Sequence, residues 1–390
     1  MNRVMPGSGL TILVTGMIAA DARYGGATWA VLQYVLGLKQ LGHDVYFVEP
    51  ITAAKLGPNG IDLVHSETAR RFQRLTASFG LSDSAALLLE GTRETVGLTY
   101  SALRRVVARA DMLLNTSGML KDPALLTPIA RRVYLDLDPG FNQAWHRVAG
   151  IDMRFDAHTH FATVGLAMGR PQCGVATCGR TWITMCPPVV LREWPVSTQL
   201  THDAFTTVAN WRSYGPMQVD GLFLGQKAHA LRPLIGLPRK TSTRFTLALA
   251  IHPDEPDLDA LRRNGWGLVD PRRAAGTPAS YRRFVSGSKA EFGIAKSGYV
   301  VTRSGWFSDR SACYLASGRP VLAQQTGFGD ALPTGEGLIA FASEADVLAG
   351  VEAIGSDYAR HRVAARAIAE RYFDSDRVLT RLLEQVGGAS

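Results

Sequence analysis

Cysteine is scarce in this chain: Cys173, Cys178, Cys186 and Cys313 are the four among 390 residues. That is too few for a disulfide framework at this length. Three of them crowd together, but with no C-x-x-C pair and no histidine at zinc-like spacing, so no metal site is expected there. Long apolar runs are also missing. The longest near the start, Leu10 to Ala20, is too short to span a bilayer. With Arg3 before it and Ala19-Ala20-Asp21-Ala22 after it, the run imitates a signal peptide. A regular strand begins inside it, so the cytoplasm is the expected address. Internal repeats and low-complexity tracts are absent. Charge of neither sign is gathered into a tail. The 42 Lys and Arg outnumber 34 Asp and Glu, for a formal net charge of +8. That surplus suits a phosphate-bearing ligand, or weak peripheral contact with an acidic membrane surface. No basic stretch is interleaved with aromatics, and nucleic acid is not expected as a partner.

What is present is an alternating pattern long enough for two domains. Leu10-Thr-Ile-Leu-Val-Thr15 reads as a buried strand closed by Gly16. A small-residue loop ends at Gly25-Gly26. Val31, Leu32, Val35, Leu36 and Leu41 then recur at helical spacing, Gly42 stops the helix, and Val45 to Val48 makes the next strand. This is a strand-helix-strand unit of parallel type. No G-x-G-x-x-G follows the first strand, which argues against a Rossmann dehydrogenase. Further strands are expected at Met112 to Asn115 and Val133 to Leu137. Pro171, Pro187, Pro188 and Pro195 mark residues 170–200 as the joint. A second alternating half follows, with strands at Phe205 to Ala209, Thr246 to Ile251, Glu291 to Ala295 and Pro320 to Ala323. Helices are expected between them and at the end. The division is a first domain to residue 185, a second over 186–370, and a final helix over 371–390 returning to the first.

Two segments carry a family likeness. Gly25-Gly26 through Leu41-Gly42-His43-Asp44-Val45 resembles the opening of the large glycosyltransferase family that begins "GG…L…L…GHEV". Ser317-Gly318-Arg319-Pro320-Val321-Leu322 followed by Thr326-Gly327 resembles its "A-C-G-R-P-V-V…G-G" donor segment. Gly337-Leu338 and the closing helices resemble its tail. Residues 50–200 are poorly covered. The resemblance implies the α/β GT-B fold, two Rossmann-like domains facing each other across a cleft. It also implies transfer of a sugar from a nucleotide diphosphate sugar to a small-molecule or glycan acceptor, with no cofactor beyond that co-substrate. One departure is plain. Where the family carries two glutamates eight residues apart, this chain has Gly305 and Cys313. That leaves nucleotide and stereochemistry open. It also keeps two other readings in view, a sugar-nucleotide epimerase of the same fold and a non-catalytic sugar-nucleotide-binding partner subunit.

The candidate residues follow from place and chemistry. Gly25 and Gly26 lie between strand and helix, where bare backbone can approach a phosphate, or can simply turn. The resemblance makes Arg212 and Lys227 the diphosphate clamp, with a longer loop between them than the family has. Ser308-Asp309-Arg310-Ser311 reads as a helix start, with Arg310 as counter-charge to a diphosphate. Thr326, Gly327 and Phe328 follow a strand and would face the same cleft. Asp138 and Asp21 are rival acid-base groups. Asp136 and Asp138 alternate on a strand and resemble a metal-binding "DxD", but metal is not expected. His158 and His160 are candidate acceptor contacts.

Overall fold

The computed structural model describes residues 9–21, 25–57 and 61–388. Arg3 and Ala22, which flank the signal-like run, lie outside them. The remaining chain builds two sheets. The first is formed by β1 (Thr11–Thr15), β2 (Asp44–Ile51), β3 (Ala85–Leu89), β4 (Thr95–Gly97), β5 (Met112–Thr116), β6 (Arg131–Asp136), β7 (His160–Thr163) and β8 (Trp182–Thr184). Its order is β4-β3-β2-β1-β5-β6-β7-β8, and only β4 runs antiparallel to its neighbour. After β9 (His202–Asn210) comes a separate hairpin of β10 (Met217–Val219) and β11 (Leu222–Leu224). The second sheet is completed by β12 (Phe245–Ala250), β13 (Gly267–Val269), β14 (Ser288–Gly293), β15 (Val321–Gln324) and β16 (Leu338–Phe341). Its order is β13-β12-β9-β14-β15-β16, all parallel.

Both sheets are doubly wound, with strand order reversing at β1/β5 and at β9/β14. Crevices for ligands open beyond the carboxyl ends of strands at such points. The helices that shape the crevice are α1 (Gly25–Gln40), α2 (Phe141–Arg147), α3 (Lys227–Leu231), α4 (Pro271–Ala275), α5 (Pro278–Gly287), α6 (Ser297–Val301) and α7 (Asp309–Ala316). The final helix, α8 (Ser375–Gly387), packs on α1, and Gln40 Nε2 donates to Asp376 at 2.8 Å. Among the described residues no helix is long and apolar enough to cross a membrane.

The strands expected from apolar runs appear within a few residues of their places. The 170–200 joint is shorter than expected, because β8 extends the first sheet to Thr184. Trp182-Ile-Thr is a good strand former hidden among prolines and cysteines, and neighbouring β7 rather than its own pattern recruits it.

Helix α1 ties the two sheets together. Its indole donor Trp29 Nε1 reaches Pro278 O at 2.9 Å, and Trp29 lies edge-on to Trp194. A side chain at Gly25 would place Cβ 2.2 Å from Thr277 O, so glycine there lets α1 meet the α4–α5 turn.

A buried carboxylate on β2 anchors the loop that leads to Asp21. Glu49 is fully buried and accepts the backbone N–H of Ile18 (3.1 Å), Ala19 (2.9 Å) and Ala20 (2.6 Å). Burial outweighs those bonds and pushes its pKa from 4.5 up to about 7. The folded chain therefore keeps a proton that the unfolded chain releases between these values. This group costs more stability as pH rises through that window. Relative to wild type, Glu49→Gln should gain melting temperature between about pH 5 and pH 7. A constant difference across those pH values would show that Glu49 does not titrate there.

Candidate active site

Beyond the carboxyl ends of both sheets lies a cavity of ≈ 410 Å³ with walls from each half. The first half supplies Asp21, Gly26 and Asp138. The second supplies Asn210, Ser213, Lys227, Lys296, Tyr299 and the segment Ser308-Asp309-Arg310.

Asp138 is placed by its neighbour Asp136. That carboxyl is fully buried and accepts four donors: Asn142 Nδ2 (2.6 Å), Gln143 Nε2 (2.9 Å), Thr163 Oγ1 (3.0 Å) and Asp138 N (3.0 Å). Gly140, at φ 95°, turns the chain into α2 and donates its N–H to Gln143 Oε1 at 2.6 Å. The result points Asp138 across the cleft. Its carboxylate accepts Lys296 Nζ at 2.8 Å, Tyr214 Oη at 2.6 Å and the hydroxyl of Tyr299. Lys296 also sits 4.2 Å from the Tyr214 ring centroid and 4.8 Å from that of Phe141. Burial and Asp138 raise both tyrosine pKa values, so both hydroxyls are protonated donors. The expectation of two carboxylates on one strand face does not hold. β6 ends at Asp136, whose oxygens are occupied by internal donors, and the two acids face different surroundings. Among the described residues, no group of three or more His, Cys, Asp or Glu side chains gathers to hold a metal.

The cations of the second half converge on the same space. Lys227 opens α3 and forms no ion pair among the described residues. Burial, with Arg310 and Lys296 adding repulsion, lowers its pKa to about 7. Ser308 caps α7, its Oγ accepting Arg310 N at 3.2 Å. Burial raises the Asp309 carboxyl above the usual range. Arg310 lines the cavity but is committed elsewhere too. Its Nε meets buried Glu291 Oε1 at 2.5 Å and its Nη1 donates to Val208 O at 2.9 Å.

Several expected residues lie elsewhere. Arg212 forms a two-pronged pair with Glu255 at 2.9 and 3.2 Å and is turned from the cavity, though its neighbour Ser213 lines it. Gly25 meets protein backbone instead of the cavity. Ser311 is buried within α7. Thr326, Gly327 and Phe328 buttress the segment behind the wall: Thr326 Oγ1 donates to Trp306 O at 2.6 Å, and Phe328 packs edge-on to Phe307. His158 is a core residue with both ring nitrogens engaged, by Arg154 O (2.7 Å) and Asn115 (3.0 Å). Burial lowers its pKa to about 4. His160 opens β7, at the end of the strand away from the crevice. Neither histidine lines the cavity.

Lys296, Tyr214 and Tyr299 were not anticipated. Lys296 follows the expected strand Glu291 to Ala295, a position where ligands gather, so a signal existed. Tyr214 belongs to the long segment between Arg212 and Lys227. That segment forms the β10–β11 hairpin and crosses to the first half, where Asp220 pairs with Arg147 at 2.7 Å.

No protein-family model and no curated protein sequence matches the chain. Solved structures do. An alpha-glucosyltransferase in complex with UDP and a 13-mer DNA containing an HMU base superposes with a TM-score of 0.62 at 11% identity, over 97% of this chain and 100% of that one. Anabaena HepE in complex with UDP and glucose gives 0.56 at 11%, over 97% and 99%. Sucrose-phosphate synthase from Thermosynechococcus elongatus gives 0.55 at 12%, over 97% and 99%. The chain has the GT-B fold, with two Rossmann-like units facing each other across a cleft. The expectation that excluded nucleic acid is overturned. The same fold accompanies DNA in several of these complexes, so the lack of a basic tail does not exclude such a partner.

Proposed function

We propose that the chain is a glycosyltransferase that moves a sugar from a nucleotide diphosphate sugar, with UDP the nucleotide and a hexose the sugar, to an acceptor hydroxyl. One observation carries the reading. The cavity sets Lys227, Lys296 and Arg310 of the second half opposite Asp21 and Asp138 of the first. A departing nucleoside diphosphate gains negative charge, and preorganised cations in a poorly hydrated site stabilise it. A carboxylate facing that site can take the acceptor's proton. Asp138 is the acid-base group, with Asp21 its alternative. The first half, to residue 185, serves as the acceptor side and 186–370 as the donor side, with Ser375–Gly387 the returning helix. UDP is preferred because the structural relatives were solved with it. Nucleic acid joins glycans and small molecules as an acceptor to test, since relatives of this fold were solved with DNA.

UDP, GDP, ADP and dTDP compared by thermal shift test the donor reading, because a ligand of the native state raises the melting point. UDP should give the largest rise, and no rise with any of the four would defeat the proposal. Turnover of UDP-glucose with and without acceptor separates transfer from isomerisation, which needs none. Activity should survive EDTA, as the cavity's own cations can take the role of a metal. Loss on chelation, with recovery on adding Mn²⁺, would overturn the metal-independent mechanism.

A further inference from the structure

A second concavity lies on the outer side of the helix pair that walls the donor cavity. Ala275 of α4 and Tyr281 of α5 face the donor cavity, while Arg273 and Arg283 of the same helices line a groove of ≈ 640 Å³. Both arginines are exposed, and neither forms an ion pair among the described residues. Their neighbour Arg282, by contrast, is held by Glu193 at 3.0 Å. One acid lies in the groove, Asp270, and its Oδ1 caps α4 by accepting Arg272 N at 2.9 Å. His202 lies tilted against Phe284 with ring centroids 4.9 Å apart, and burial lowers its pKa, so it adds no charge near neutral pH.

Beneath this groove is a third guanidinium. Arg319 is 1% exposed, and buried charges are ordinarily paired with an opposite one. Arg319 is not. Its donors go to Ser286 O at 2.9 Å, Tyr358 Oη at 3.2 Å and the carbonyl of Gln199, all neutral. Ser286 and Gln199 themselves line the groove. Behind the floor therefore lies a positive charge with no ion-pair partner among the described residues, and the rim bears two more.

We propose that this groove binds phosphate groups, through the guanidinium forks of Arg273 and Arg283 over the buried charge of Arg319. Planar guanidinium suits phosphate oxygens in paired hydrogen bonds. The groove is large enough for a nucleotide-sized group. Its ligand is either a free phosphate compound or a phosphodiester chain. The site is independent of the donor cavity and would bind whether or not that cavity holds a nucleotide sugar.

The test is the double charge reversal Arg273→Glu/Arg283→Glu, leaving Arg319 in place. Arg104→Glu/Arg105→Glu, at two exposed first-half arginines that form no ion pair among the described residues, is the control of equal charge change. Binding of a labelled DNA duplex and of inorganic pyrophosphate is measured across a salt series, beside UDP binding and melting temperature. For a phosphodiester chain, the groove variant should bind DNA tenfold or more weaker than the control, with a salt slope lower by about 0.9 for each lost contact. For a free phosphate compound, pyrophosphate binding alone should fall by that much. UDP affinity and melting temperature should match the control in either case. Equal DNA and pyrophosphate binding by the two variants would overturn the groove. Absence of UDP binding in all variants would bear on the donor reading alone.

Discussion

Asp138→Asn should lower the rate of sugar transfer by about 10²- to 10⁴-fold, the usual contribution of a positioned acid-base group. UDP affinity should stay near the wild-type value. Asparagine preserves the shape of the side chain and can still accept from Tyr299, but it cannot take a proton. A different outcome is expected if Asp138 serves only to hold the halves together through Lys296, Tyr214 and Tyr299. In that case melting temperature and UDP affinity would fall with the rate, and Tyr214→Phe would mimic the effect. Steady-state kinetics, UDP titration and thermal melts on both variants separate the two roles.

Arg310→Ala should destabilise the fold by about 3–5 kcal/mol, the cost of removing one partner from a buried ion pair. Glu291 is fully buried, its Oε1 meets Arg310, and its Oε2 has no partner. Losing Arg310 leaves that carboxylate uncompensated in the core of the second sheet. Arg310→Met/Glu291→Leu should recover most of the loss, because an apolar pair of similar volume replaces an ionic one at little cost. Denaturant unfolding measures both. An Arg310→Ala variant as stable as wild type would contradict the ion pair with Glu291 as a support of this sheet. The diphosphate role of Arg310 must therefore be read from variants that keep the pair's balance.

The sequence was most informative where local pattern and burial agree. β1, α1 and β2 follow from an apolar run, a helical period and Gly42, and the central strands of the second sheet are legible in the same way. β13 and β16 were not, since Gly267–Val269 and Leu338–Phe341 are short edge strands whose pairing is decided by neighbours. The site was partly legible. Asp21, Gly26, Asp138, Lys227 and Ser308 to Arg310 reach the cavity because each follows a strand or opens a helix. Arg212 does not, because Glu255, 43 residues onward, captures it. His158 does not, because burial beside Asn115 outweighs its chemical promise. Such partners are distant in sequence, and no local pattern records them. Tyr214 was hidden for the same reason, its role depending on Asp138 from the other half, whereas Lys296 stands just past an expected strand and its place was legible.

Lys227 offers the most direct test of the donor site, since burial lowers its pKa to about 7 and it forms no ion pair among the described residues. A bound diphosphate favours its charged form, while the nucleotide's own terminal phosphate ionises near about pH 6, below the window used. Isothermal titration of UDP into wild type and Lys227→Met at pH 7, 8 and 9 decides the matter. Wild type should bind UDP with affinity falling by up to about tenfold for each pH unit above the lysine's pKa. Lys227→Met should bind about 10- to 100-fold more weakly at pH 7, the scale of a charge-assisted hydrogen bond, and lose little more by pH 9. Equal affinities and equal pH slopes for the two proteins would contradict the assignment of this cavity as the donor site.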